Sequence, residues 1–156
     1  MALAQGKTPL FDTIRGKKPV LSGYGATATL SADDTGSTIL FDRAAGIVFT
    51  LPKAVPGLVY DFVVTTSVTS NAAKVITGAG TELLIGGYTN VDTDTSNAVA
   101  AFDGNGSTHV SVSMNGTTTG GLLGTKLRFT CLSTTKWMVD GIVRGSGVVA
   151  TAFATS

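Results

Sequence analysis

Three stretches near the end of the chain alternate apolar and polar residues with strict period two. They read STHVSVSM over 107–114, TKLRFTCL over 125–132 and KWMVDGIV over 136–143. In the second, Leu127, Phe129 and Cys131 share one side, and Lys126, Arg128 and Thr130 the other. Successive side chains of a strand point to opposite faces, so each run is a strand with one dry and one wet face. Asp103-Gly104-Asn105-Gly106, Asn115-Gly116 and Ser133-Thr134-Thr135 punctuate these runs. Asn-Gly supplies the positive φ angles of a tight hairpin. The pattern therefore predicts an antiparallel meander over the C-terminal third.

Upstream, shorter runs continue the rhythm. Strands are predicted over Thr27–Leu30, Thr38–Asp42, Ile47–Leu51, Leu58–Thr65, Ala73–Thr77, Leu83–Ile85 and Ala98–Phe102. Turns fall at Asp33-Asp34-Thr35-Gly36, Arg43-Ala44-Ala45-Gly46 and Gly78-Ala79-Gly80, and a longer connection runs from Pro52 to Gly57. In Leu58–Thr65 the residues Leu58, Tyr60, Phe62 and Val64 form one face and Val59, Asp61, Val63 and Thr65 the other. Apolar residues on both sides predict contact on both faces. Residues 89–97, TNVDTDTSN, have no period and read as a polar loop. About ten short strands at 8–12-residue spacing predict a compact antiparallel β-sandwich or barrel, jelly-roll-like.

The ends differ from the middle. Residues 1–26 carry Pro9, Pro19 and four glycines without periodicity, which predicts an extended N-terminal arm. The β domain then spans 27–144, and the small apolar residues 145–156 read as a C-terminal tail and a second arm.

Composition supports the all-β reading. Among 156 residues there is one Glu (Glu82) and one Gln (Gln5), so the usual material of exposed helices is missing. Charged residues make up 13% against about 25% in an average soluble protein. Such a surface is suited to facing other protein. The net charge of +1 gives no global electrostatic case for nucleic acid. Locally, residues 1–18 hold Lys7, Arg15, Lys17 and Lys18 against Asp12 alone, which favours an acidic partner surface. No run approaches the roughly 18 apolar residues of a membrane-spanning helix, and the opening MALAQGKTPLFD lacks the apolar stretch of a secretory signal. The sequons at Asn105 and Asn115 fit turns better than glycosylation.

Candidate chemistry is sparse. His109, the single histidine, sits in an alternating run with no Gly-x-Ser-x-Gly elbow anywhere, so it reads as an ordinary strand residue. Asp92, Asp94 and Asp103 offer oxygens at a spacing resembling a calcium loop. The required glycine and closing Glu are absent, so turn duty is expected. Gly6-Lys7-Thr8 ends like a phosphate loop, yet no strand can precede it. Cys131 lies on a dry face beside Leu127 and Phe129, as a buried inert thiol does. Trp137 reads as core, and no pair of carboxylates with aromatic platforms marks a glycosidase. No catalytic residue, metal or cofactor is expected.

The stretch SADDTGSTILFDRAAGIVFTLPKAVPGLVYDFVVTTSVTSNAAKVIT, with the later DTDTSNAVAAF and GNGSTHVSVSMNG, resembles small virion structural proteins of tailed bacteriophages. Capsid decoration (cement) proteins are the nearest kind, with modules of head or tail fibres beside them. The likeness spans about residues 30–143 and carries no catalytic motif. It implies an all-β knob, commonly a homotrimer, made in the bacterial host cytoplasm and placed on the capsid exterior. There it strengthens contacts between major capsid protein subunits, with Lys7, Arg15, Lys17 and Lys18 as the capsid-contact arm. A fibre or baseplate module binding host glycans is the alternative, and a virion-associated hydrolase a third.

Overall fold

The computed structural model describes residues 17–94 and 98–156. Their twelve strands are β1 (Val20–Leu21), β2 (Thr27–Thr29), β3 (Thr38–Phe41), β4 (Val48–Thr50), β5 (Val59–Val64), β6 (Ala73–Ile76), β7 (Leu83–Asp92), β8 (Val99–Asn105), β9 (Ser111–Met114), β10 (Lys126–Ser133), β11 (Lys136–Gly145) and β12 (Phe153–Ala154). A single 3-10 turn, Ala32–Asp34, separates β2 from β3. Seven strands form one sheet in the order β1-β3-β5-β10-β11-β7-β8, and five form the other in the order β12-β9-β6-β4-β2. The two pack face to face as an all-β sandwich.

The dry faces meet as the alternation requires. Ile39 and Phe41 of β3, Tyr60 and Phe62 of β5, Leu127 and Phe129 of β10, and Trp137 and Val139 of β11 are all buried on the large sheet. Phe49, Val75, Val112 and Met114 answer from the small sheet. Phe49 stands at the centre, its ring 5.0 Å from Phe41 and 5.6 Å from Phe62, with Tyr24 edge-on at 5.0 Å. Phe62 meets Phe129 edge-to-face at 5.4 Å, an arrangement that aromatic quadrupoles favour.

Strand pairing departs from a simple meander. Ladders β1–β3, β3–β5, β2–β4, β4–β6 and β7–β11 are parallel. The cause is the route of the chain. From β1 to β7 successive strands alternate between the large and small sheets, so the neighbours β1–β3, β3–β5, β2–β4 and β4–β6 are each two strands apart and run the same way, while β7 and β11 pair over a longer stretch of chain. The intervening turns are arches across the core. Alternation marks a dry face but does not say whether the next strand lies beside it or opposite it. The same holds for Asn115-Gly116. Its strands, β9 and β10, lie in different sheets, and only β10–β11 of the expected meander is a hairpin. Asn115 Oδ1 instead accepts from the backbone N–H of Thr117 (2.9 Å) and Thr119 (3.1 Å). Gly116, at φ +82°, passes so close to the Val68 carbonyl that a Cβ there would lie 2.0 Å from its oxygen.

The two ends are more integrated than expected. Residues 145–156 do not leave the body as an arm. Ala152 and Phe153 are buried, β12 pairs with β9, and the Ala152 N–H donates to the Tyr88 hydroxyl at 2.5 Å. At the other end β1 already belongs to the large sheet, and the Thr38 N–H donates to the Pro19 carbonyl at 2.8 Å. The expected arm, 1–26, therefore enters the fold by Pro19, and its residues 1–16 lie outside the described residues. The polar run 89–92 is the end of a ten-residue β7. Its inward positions are Asn90 and Asp92, which hid the period. The Asn90 amide donates to the carbonyls of Thr118 (3.1 Å) and Ala150 (3.4 Å) instead of packing apolar surface.

Phe49→Ala is expected to cost about 3–5 kcal/mol, because it empties the joint between the sheets. Leu132→Ala, at a residue 48% exposed, is expected to cost under about 0.5 kcal/mol. Urea unfolding of both variants measures the contrast.

Candidate functional site

The large sheet has one face left over after the core is formed. Its strands carry their second set of alternating side chains there, in rows fixed by the register. One row runs Leu40, Val63, Lys126, Ile142, Thr89, Ala101. The next runs Thr38, Asp61, Arg128, Asp140, Gly87, Asp103. Ile142 is 55% exposed and Val99, at the end of the neighbouring row, 64%. The face thus mixes exposed apolar residues with charge, Lys126 in the first row and Asp61, Arg128, Asp140 and Asp103 in the second.

Asp61 anchors that line. It sits on β5 among apolar neighbours and is almost wholly buried. Arg128 grips it in a forked pair, Nε to Oδ1 at 2.7 Å and Nη2 to Oδ2 at 3.0 Å. Lys18 reaches across β3 to the same carboxylate. A carboxylate this buried keeps its charge only with such partners. The hydrogen bonds from Arg128, aided by Lys18, outweigh burial and hold Asp61 down at about 2, from 3.8. The same pairing pushes Arg128 upward.

Of the four basic residues assigned to the arm, Lys7 and Arg15 lie outside the described residues. Lys17 is exposed. Lys18 is turned back onto the body by its ion pair with Asp61, so it is the root of the arm. Alternation placed Asp61 with Val59 and Val63 on the second face of its strand, which was expected to be in contact, and Arg128 on the wet face of another, but did not pair them. Two opposite charges on the faces turned away from the core were the available signal.

The remaining candidates do not converge. His109 lies in the loop before β9, not in a strand; its Nδ1 accepts the Asn105 N–H at 3.2 Å and its ring stacks on Phe153 at 5.4 Å. A hydrolytic triad needs that nitrogen to donate to a carboxylate, and this geometry does not provide it. Asp92 points inward and accepts the Asp94 N–H at 3.0 Å, and Asp94 accepts the Gly147 N–H at 2.9 Å. Asp103 lies on the opposite, outer face of the sheet. Among the described residues no three of His, Cys, Asp and Glu stand close enough to share a metal ion. Cys131 is buried, and burial pushes its thiol up. Glu82, the single Glu, is also buried; it accepts the Ala54 N–H at 2.8 Å and the Trp137 indole N–H at 3.3 Å. A depression on the outer face, beside Gly87, Thr89, Ala101 and Asp103, is open to solvent. An open face of this kind suits contact with another surface.

Because the folded Asp61 lies below its unfolded value, its contribution is full above about pH 4 and is lost as pH falls toward 2. Lys18 and Arg128 are each nearly half exposed, so solvent screening reduces the worth of the cluster to on the order of 1–2 kcal/mol. Asp61→Asn is expected to lower the melting temperature by several degrees at pH 7, and the gap to the wild type is expected to close near pH 2. Thermal unfolding at pH 7, 4 and 2 measures it. Neither a protein-family model, nor a curated protein, nor a solved structure matches the chain.

Proposed function

We propose that this protein is a structural component of a phage virion, a decoration protein that binds the outer surface of the capsid and stabilises contacts between major capsid protein subunits. The observation that carries the reading is the outer face of the large sheet, with the arm rooted on it. The face offers exposed Ile142 and Val99 beside a cross-strand line of Asp61, Arg128 and Asp140. The Lys18–Asp61 pair sets Lys18 against that face. The phage resemblance of residues 30–143 supplies the partner, and the basic arm supplies an attraction for an acidic shell. A rigid sandwich tied to a shell adds contacts that the shell must break to open, which is how a cement works without chemistry.

Residues 1–16 precede the Pro19–Thr38 hydrogen bond, so their removal is expected to leave the sandwich folded. The truncated protein is expected to pellet far less with undecorated shells than the full chain, and full-chain binding is expected to weaken as salt rises. Equal pelleting of both proteins would assign the contact to the sandwich alone. No pelleting of either, with binding to host cells or polysaccharide instead, would favour a fibre or baseplate module.

A further inference from the structure

We infer that β8 is a self-pairing edge, through which two copies of this chain join their large sheets antiparallel about a two-fold axis centred on Ala101. An exposed strand edge is a template for another strand, and folds guard their edges with shortness, proline, lysine or bulges. Three of the four edges here are guarded. β1 has two residues behind Pro19, β12 has two and β2 has three. β8 has seven, VAAFDGN, with neither Lys nor Pro.

The register shows which of its groups are unused. The Asp92 N–H donates to the Ala98 carbonyl at 2.8 Å and the Gly106 N–H to the Leu84 carbonyl at 2.9 Å. These bonds frame the β7–β8 ladder, so residues 100, 102 and 104 bond to β7 and residues 99, 101, 103 and 105 point away. The Asn105 N–H accordingly turns outward to His109 Nδ1 at 3.2 Å, which ends the edge at that side. Val99, Ala101 and Asp103 are left with outward backbone groups that pair with no other described strand.

These residues suit their own copy. Centring on Ala101 sets Val99 opposite Asp103 of the second copy, Ala101 opposite Ala101, and Phe102 opposite Ala100. About six backbone hydrogen bonds form. The half-buried Phe102 gains a small partner, and no Asp faces an Asp, the arrangement that like charge penalises. Centring on Asp103 or Phe102 would place like charge on like charge or bulk on bulk.

Sedimentation of the full chain at micromolar concentration tests this. The wild type is expected to be a dimer, in place of the homotrimer that the resemblance implies. Ala101→Pro removes an N–H that the β7 ladder does not use, so the fold is expected to survive while the dimer weakens by roughly 100-fold or more. Ala101→Lys sets like charges across the axis and is expected to do the same, which keeps the test valid should the proline variant misfold. Val99→Lys faces Asp103 of the second copy and is expected to bind at least as tightly, more so at low salt. A monomeric or trimeric wild type, dimers in both Ala101 variants, or a clear loosening by Val99→Lys would each overturn the inference. Shell pelleting reads the decoration role independently of these results.

Discussion

The structure depends on one contact, the insertion of Phe49 from the small sheet between Phe41 and Phe62 of the large one. Each sheet has a dry face that water excludes, and burying the two against each other is the main favourable term in the fold. The arches from β2 to β7 follow from this. A chain that alternates between facing sheets brings each new dry face directly onto the last. What remains after that burial defines the exterior, namely the wet face of the large sheet, its one long edge and the end where the chain enters.

On that exterior the cluster of Asp61, Arg128 and Lys18 has a disproportionate role. It places a buried charge in the middle of a sheet, where the carboxylate is tolerable only while both cations hold it. Arg128 reaches it from the adjacent strand. Lys18 reaches it from the first described residues of the chain, so the position of the arm's root is tied to the outer face of the large sheet.

Much of this was legible in the residues. Strict alternation over 125–132 and 136–143 gave the hairpin, its faces and the burial of Phe129, Cys131 and Trp137. The scarcity of Glu and Gln gave the all-β class. Pairing was not legible, because alternation fixes a face and leaves the neighbour open; hence the arches and the parallel ladders. The end of β7 was hidden because Asn90 and Asp92 occupy inward positions, where the Asn90 amide N–H groups donate to backbone carbonyls of distant loops and Asp92 accepts from its own turn. The C-terminal strand was hidden because two residues, Phe153 and Ala154, carry no period at all. The Asp61 cluster required knowing that β5 lies beside β10, with 67 residues between the partners.

On the proposed function this sandwich sits on the outside of a phage shell, with the arm's root turned toward it. A cryo-electron-microscopy reconstruction of the particle that carries this chain tests it directly. The expected result is sandwich-sized density on the shell exterior, with the Lys18–Asp61 pair facing the major capsid protein and continuous density for the preceding residues along it. A shell without such density, or the sandwich found in a tail or fibre, would contradict the claim.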